Sequence, residues 1–211
     1  GGHQMFEKFH ALEADKQNRI LNAAMKEFNL RGYKNASTNK IVKDASIGKG
    51  MLFHYFHSKK ELYLYLYDYS VKTLMNEFYG KIDLSERDIL KRLRQVIVME
   101  FALIGRYPDM LDFVKSAYFE ESGEVKDDLD IRNRNYIASG SSKVLQNIDV
   151  SKFKNEVDTA RAIRVIMWTL EGISAREREK LKVYSLNKLN YDDLLVELDS
   201  YLDLFRSTFY K

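Results

Sequence analysis

A chain of 211 residues, 45% hydrophobic and 31% charged, has an ordinary globular composition and can bury a core without covalent staples. It holds no cysteine, which excludes disulfides, a thiol nucleophile and any thiolate zinc site. Its net charge of +3 is uneven: residues 1–61 carry 11 Lys/Arg against 6 Asp/Glu, a net of +5, and the other 150 carry 23 against 25, a net of −2. A basic first third on a near-neutral body points to an anionic partner for that third. No run reaches the roughly 18 apolar residues a membrane span needs. The start, GGHQMF, lacks a signal-peptide pattern, so the expected location is the cytoplasm. Gly1–Gln4, ahead of Met5, read as a vector-derived remnant.

One proline and ten glycines leave few breakers, and the wealth of Leu, Lys, Glu and Ala favours helix. The first helix is predicted from Asp15, as N-cap, to about Leu30, with Ile20, Ala24 and Phe28 on one apolar stripe and Gly32 ending it. A short second helix begins at Ser37 or Thr38 and turns Ile41, Val42 and Ala45 inward. After the breaker Ser46-Ile47-Gly48, a third runs from Lys49 to about Phe56, with Gly48 as its cap. Two short helices about so tight a turn read as a helix-turn-helix. Ser58-Lys59-Lys60-Glu61 has the spacing of a capping box and opens a long helix. The alternation Tyr63-Leu64-Tyr65-Leu66-Tyr67 also fits a strand. The capping box and the Leu62/Leu66 pair decide for helix. Further helices are predicted at about 86–105, 109–120, 124–147, 155–181 and 191–209. A break falls at Tyr107-Pro108 and a polar link at 182–190. The fold class is all-α, with a head at 14–60 and a larger helical body at 61–211.

The stretch GKGMLFHYFHSKKEL, residues 48–62, combines aromatics, cations and glycines in a way neither a loop nor a core strand needs. A recognition helix needs all three. Its inner face must anchor it, and its outer face must come close to base edges and phosphates. Leu52 and Phe56 lie four residues apart and face inward, whereas Lys49, Gly50, Phe53 and His54 face the other way. Tyr55 can offer a hydroxyl to a phosphate. Ser58, Lys59 and the opening turn of the long helix form a second phosphate site. His54-x-x-His57 has the spacing of a helical metal pair, but without cysteine or a carboxylate cluster no metal site is expected.

Residues 20–66, densest at K-G-x-L-x-x-Y-F-x-S-K-x-E-L and preceded by GYKNASTNKIVKDA, resemble the DNA-binding domain of TetR-family transcriptional regulators. The resemblance implies a three-helix DNA-binding head and a C-terminal domain that binds a small molecule. It also implies a homodimer through the last two helices, here about 155–181 and 191–209. Carried over by position, Thr38 would touch a phosphate, Lys49, Gly50 and Met51 the groove or backbone, His54 and Tyr55 base edges or phosphates, and Lys59 a phosphate. Gly48 stands where serine is usual, Phe53 where tyrosine is frequent, and Met51 where a small polar residue is common.

The body carries no motif. Its aromatics favour an apolar or aromatic effector between helices, with Phe101, Tyr107, Tyr118, Tyr136 and Trp168 the candidate contacts. No cofactor is expected. An enzyme is disfavoured: all four histidines (His3, His10, His54, His57) precede residue 58, which leaves the large domain no histidine base or ligand. The expected function is a dimeric repressor that leaves a palindromic operator on binding effector. The alternative is an activator or adaptor whose body binds protein.

Overall fold

Residues 6–181, 183 and 188–211 are described by a computed structural model. The expectations for Gly1–Gln4 and for most of the 182–190 link fall outside the described residues. Among the described residues ten helices follow in order: α1 Glu7–His10, α2 Ala14–Asn35, α3 Thr38–Asp44, α4 Met51–Phe56, α5 Lys59–Tyr79, α6 Ile89–Arg106, α7 Pro108–Tyr118, α8 Lys126–Val144, α9 Thr159–Lys180 and α10 Tyr191–Phe209. About 74% of the described residues are helical, and none of them forms a strand. One isolated antiparallel bridge joins Phe153 to Tyr210. The Tyr63–Tyr67 alternation lies inside α5, as the capping box implied.

Three expected details differ. The chain begins with an unforeseen helix, α1. It is joined to α2 by the Gln17 amide, whose Nε2 donates to Leu12 O at 2.8 Å and His10 O at 3.1 Å. Glu13, not Asp15, caps α2, and Asp15 sits in the first turn, where an acid complements the helix dipole. The capping box at Ser58 is one-armed. Ser58 Oγ accepts from Glu61 N at 3.1 Å, but Ser58 N donates to Phe56 O at 2.7 Å and the Glu61 carboxylate does not return the bond. Gly32 does interrupt α2 as expected, with φ 71°, a conformation that glycine adopts without strain.

The chain forms two compact units. The first comprises Gly1–Met75 and Tyr107–Tyr136, and includes all of residues 14–60. Its core is aromatic. Phe9 of α1 lies 4.8 Å from Phe56, 6.4 Å from Tyr55 and 5.4 Å from Tyr65, between ring centroids. Phe28 and Tyr63 meet Phe113 of α7, Tyr63 lying 4.9 Å from Phe28 and 5.4 Å from Phe113, and Tyr33 lies 5.0 Å from Tyr63. The Tyr33 hydroxyl donates to Glu124 Oε2 at 2.6 Å, and burial and that carboxylate together push its pKa well above the usual phenol range.

The second unit comprises Asn76–Arg106 and Ile137–Lys211. Ile89, Leu93 and Val96 of α6 join Ala162, Ile166 and Leu170 of α9 and Leu198, Leu202 and Phe205 of α10 in one core. Arg92 is fully buried there. Its guanidinium donates to the carbonyls of Glu86 at 2.8 Å, Leu84 at 3.2 Å and Val144 at 3.0 Å, and to that of Gln146. Two of those carbonyls close the C-terminal end of α8, where the helix dipole favours a cation. Asp88 opens α6 and is also buried. Burial pushes its carboxyl up, but hydrogen bonds from Tyr210 at 2.7 Å and Lys152 at 3.1 Å outweigh it and hold the pKa below its ordinary value.

Because Phe9 is fully buried among the rings that hold α4, Phe9→Ala is expected to cost about 3–5 kcal/mol, as large aromatic deletions in cores do. Urea denaturation checks this. A loss below about 1 kcal/mol would mean that α1 does not anchor the head.

Candidate nucleic-acid interface

The interface is built on α3 and α4. Ser37 caps α3, its Oγ accepting from Lys40 N at 3.2 Å, and its own N–H donates to the buried Glu27 at 3.3 Å. Thr38 is therefore the first helical residue, and it is half-buried. The turn between the helices is six residues long, 45–50, rather than the expected three. It closes through Ala45 N to Ile41 O at 2.9 Å and Ile47 N to Val42 O at 3.2 Å. Gly50, not Gly48, caps α4, and the helix starts at Met51 instead of Lys49. Gly50 has φ 92° and ψ −18°, which reverses the chain in a left-handed conformation, and the space where a Cβ would stand is open.

Burial divides α4 cleanly. Leu52, Tyr55 and Phe56 are buried, and Met51, Phe53 and His54 are exposed. Tyr55 is only 4% exposed and belongs to the core, its ring against Phe9. The expectation of an outward-reaching Tyr55 is corrected to an anchoring one, because the helix turns positions 52, 55 and 56 to one side. Lys59 is half-buried and already engaged. Its ammonium donates to Lys34 O at 3.1 Å and Ala36 O at 3.5 Å, 4.8 Å from the centre of the Tyr33 ring. It ties the start of α5 to the end of α2. Lys49, Gly50, Met51 and His54 are all exposed. Lys43 and Lys40 are exposed on α3, the latter 2.9 Å from Asp44, whose carboxyl that hydrogen bond holds below the usual range. Among the described residues no three His, Cys, Asp or Glu side chains converge as a metal site would need.

The candidate effector contacts are scattered. Phe101 and Trp168 belong to the second unit, and Tyr107, Tyr118 and Tyr136 to the first. Phe101 is half-buried, its ring 4.5 Å from Tyr191. Trp168 is 61% exposed. Tyr107 caps α7, and Tyr118 is exposed at its end. Tyr136 is half-buried, its hydroxyl donating to Asp68 Oδ1 at 2.8 Å while Arg132 Nε donates to Oδ2 at 3.2 Å. Asp68 and Arg132 escaped sequence reasoning because a long-range ion pair leaves no spacing signal. Phe6 and Phe9 escaped it too, although their i, i+3 spacing was a readable sign of α1.

A short exposed helix, anchored by its aromatic face across a tight turn from a second helix, defines a helix-turn-helix protein, here with a larger all-helical remainder. Residues 20–66 match the family model described as bacterial regulatory proteins, tetR family. The Bacillus subtilis regulator YhgD, described as an uncharacterized HTH-type transcriptional regulator, is 35% identical over 72 residues, 34% of this chain and 36% of YhgD. This chain thus spans about a third of that relative. The fatty acid metabolism regulator protein of Bacillus subtilis is 22% identical over 195 residues, 91% of this chain and 94% of that one. The crystal structure of the transcriptional regulator FadR from Bacillus subtilis in complex with stearoyl-CoA shares the fold, with a TM-score of 0.61 and 18% identity over 90% of this chain and 97% of that one. No helix among the described residues is long and apolar enough to cross a membrane.

A side chain at Gly50 would meet no neighbour but would be strained by its positive φ. Gly50→Ala is expected to lower stability by about 1–2 kcal/mol, read by thermal unfolding. A variant of unchanged stability would show that the left-handed cap is not required.

Proposed function

We propose that this protein is a ligand-responsive repressor that binds a palindromic operator as a homodimer. The exposed arc of α4, bordered by Lys49 and held rigid by Leu52, Tyr55 and Phe56, carries this reading. The DNA contacts are Lys49, Gly50, Met51 and His54 from the turn and α4, with Thr38 and Lys59 placed at helix starts for phosphates. Tyr55 contributes by fixing the helix. Functionally the head is 14–60 and the body 61–211.

The homodimer is supported by the outer faces of α9 and α10. On α9, Val165, Trp168, Gly172 and Ala175 lie at i, i+3, i+7 and i+10 and are all exposed, opposite the buried Ala162, Ile166 and Leu170. On α10, Val196, Ser200 and Leu204 repeat every four residues on the exposed side, opposite Leu198, Leu202 and Phe205. Two adjacent elements of sequence each carrying a second apolar stripe suit a helical bundle with another copy of this chain. Leu204, 56% exposed, costs an isolated chain nothing on becoming charged. Leu204→Glu is therefore expected to leave the fold intact and shift the protein to monomer in analytical ultracentrifugation. Unchanged mass would place the interface elsewhere.

The effector is an apolar molecule, and a long-chain acyl group is the class to try first. The full-length relative is named for fatty acid metabolism, and the fold neighbour holds stearoyl-CoA. The decisive experiment is selection of bound DNA from a random duplex pool at roughly 150 mM salt, where nonspecific binding is weak. A two-fold symmetric site is expected, its half-sites about 34 Å apart, released by acyl-CoA at concentrations that leave a salt-matched control bound. No enriched site would overturn the regulatory reading, and an enriched site insensitive to acyl-CoA would overturn the effector class alone.

A further inference from the structure

At roughly 100° per residue, His54 occupies the middle of the exposed arc of α4, with Phe53 about 100° to one side and Met51 about 60° to the other. Both flanks are apolar, Phe53 46% and Met51 37% exposed. Exposed Phe and Met so close together on a six-residue helix are unusual for a surface that has only water to face. They are not spare core. Leu52, Tyr55 and Phe56 already fill the inner side, and Phe53 has no hydroxyl to give a phosphate.

The rest of the arc narrows what it can read. The sequence of α4, MLFHYF, holds no Arg, Asn or Gln. The side chains that make two-pronged contacts to guanine or adenine are therefore absent from the helix. Cations lie just outside it, at Lys49 and on α3 at Lys43, where they suit phosphates. Apolar flanks on either side of His54, with a basic border beyond them, fit a groove floor that is itself apolar in places. In the major groove the one apolar group is the C5-methyl of thymine.

Resting on the reading of α4 as a DNA reader, we infer that Met51 and Phe53 read thymine methyl groups, so that each half-site is specified chiefly by methyl contacts rather than by two-pronged hydrogen bonds. Gly50 contributes by leaving the approach open: a Cβ there would point into empty space beside Met51. The departures from the family pattern at Phe53 and Met51 then have a common sense, since both replace polar groups with groups that bury a methyl.

The test deletes methyls from DNA and then their partners from the protein. On the duplex selected above, each contacted thymine is replaced in turn by deoxyuridine, which keeps every hydrogen bond and removes one methyl. Binding is expected to weaken about fourfold per contacted thymine, the equivalent of one buried methyl group, and to be unchanged at other thymines. Replacing cytosine by 5-methylcytosine gives the converse control: placed opposite the same side chains, the added methyl is expected to recover part of the lost affinity. Met51→Ala and Phe53→Ala, both at exposed positions and checked for native circular dichroism, should each erase the deoxyuridine penalty at one position only. If the selected site binds but deoxyuridine is neutral everywhere, the methyl reading is wrong and the regulatory one stands. If the penalties persist in both variants, other side chains read the methyls and the assignment to Met51 and Phe53 fails. If no duplex is selected at all, both readings fail.

Discussion

The head depends on the burial of one face of α4. Six residues are far too few to hold a helix in water, because nucleation costs more than so few hydrogen bonds return. What keeps Met51–Phe56 helical is the enclosure of Leu52, Tyr55 and Phe56 by Phe6 and Phe9 ahead of it and Tyr65 behind it. Those rings sit 4.8 to 5.5 Å apart and tilted, the arrangement in which aromatic pairs attract beyond the area they bury. Remove the enclosure and the segment has no reason to be a helix.

This constraint frees the other face. With anchoring confined to positions 52, 55 and 56, positions 49, 51, 53 and 54 carry no structural duty and can be set by what they contact. It also explains the backbone at both ends of α4. Gly50 turns the chain in with φ 92°, and His57 turns it out with φ 62°. Both left-handed residues are imposed by the need to present a short helix edge-on between longer ones. At Gly50 the sequence supplies the residue that does this without cost. At His57 it does not, and the strain there is borne by the packing on either side.

How legible this was from sequence depended on how local the cause was. The buried stripes of α2, a cap for α3 at Ser37 or Thr38 and the start of α5 at Ser58 all follow from neighbours within four residues, and the structure settles the cap on Ser37. The cap of α4 was misplaced by two residues because Gly48 and Gly50 are equivalent on paper, and only the hydrogen bond from His54 N to Gly50 O tells them apart. Tyr55 was misread because an amphiphilic side chain in a six-residue helix can face either way until α1 is known to be there, and α1 is a four-residue helix with two phenylalanines as its only sign. The body was opaque for a different reason. Aromatics at helical spacing do not reveal what lies across from them: Phe113 is core, Trp168 is exposed and Tyr136 bonds an aspartate 68 residues away.

The first unit does not end at the helix-turn-helix. Phe113 and Ala117 of α7, with Val125 and Leu129 beyond it, are buried in the same cluster as Phe28, Tyr63 and Phe56. Glu120 and Glu124 reach the backbone and hydroxyl of Tyr33, next to the Gly32 break and the start of α3. Close-packed interiors of this kind do not deform smoothly; they shift between discrete packings. A displacement of α7 must therefore either carry α2 with it or break the Tyr33 contacts.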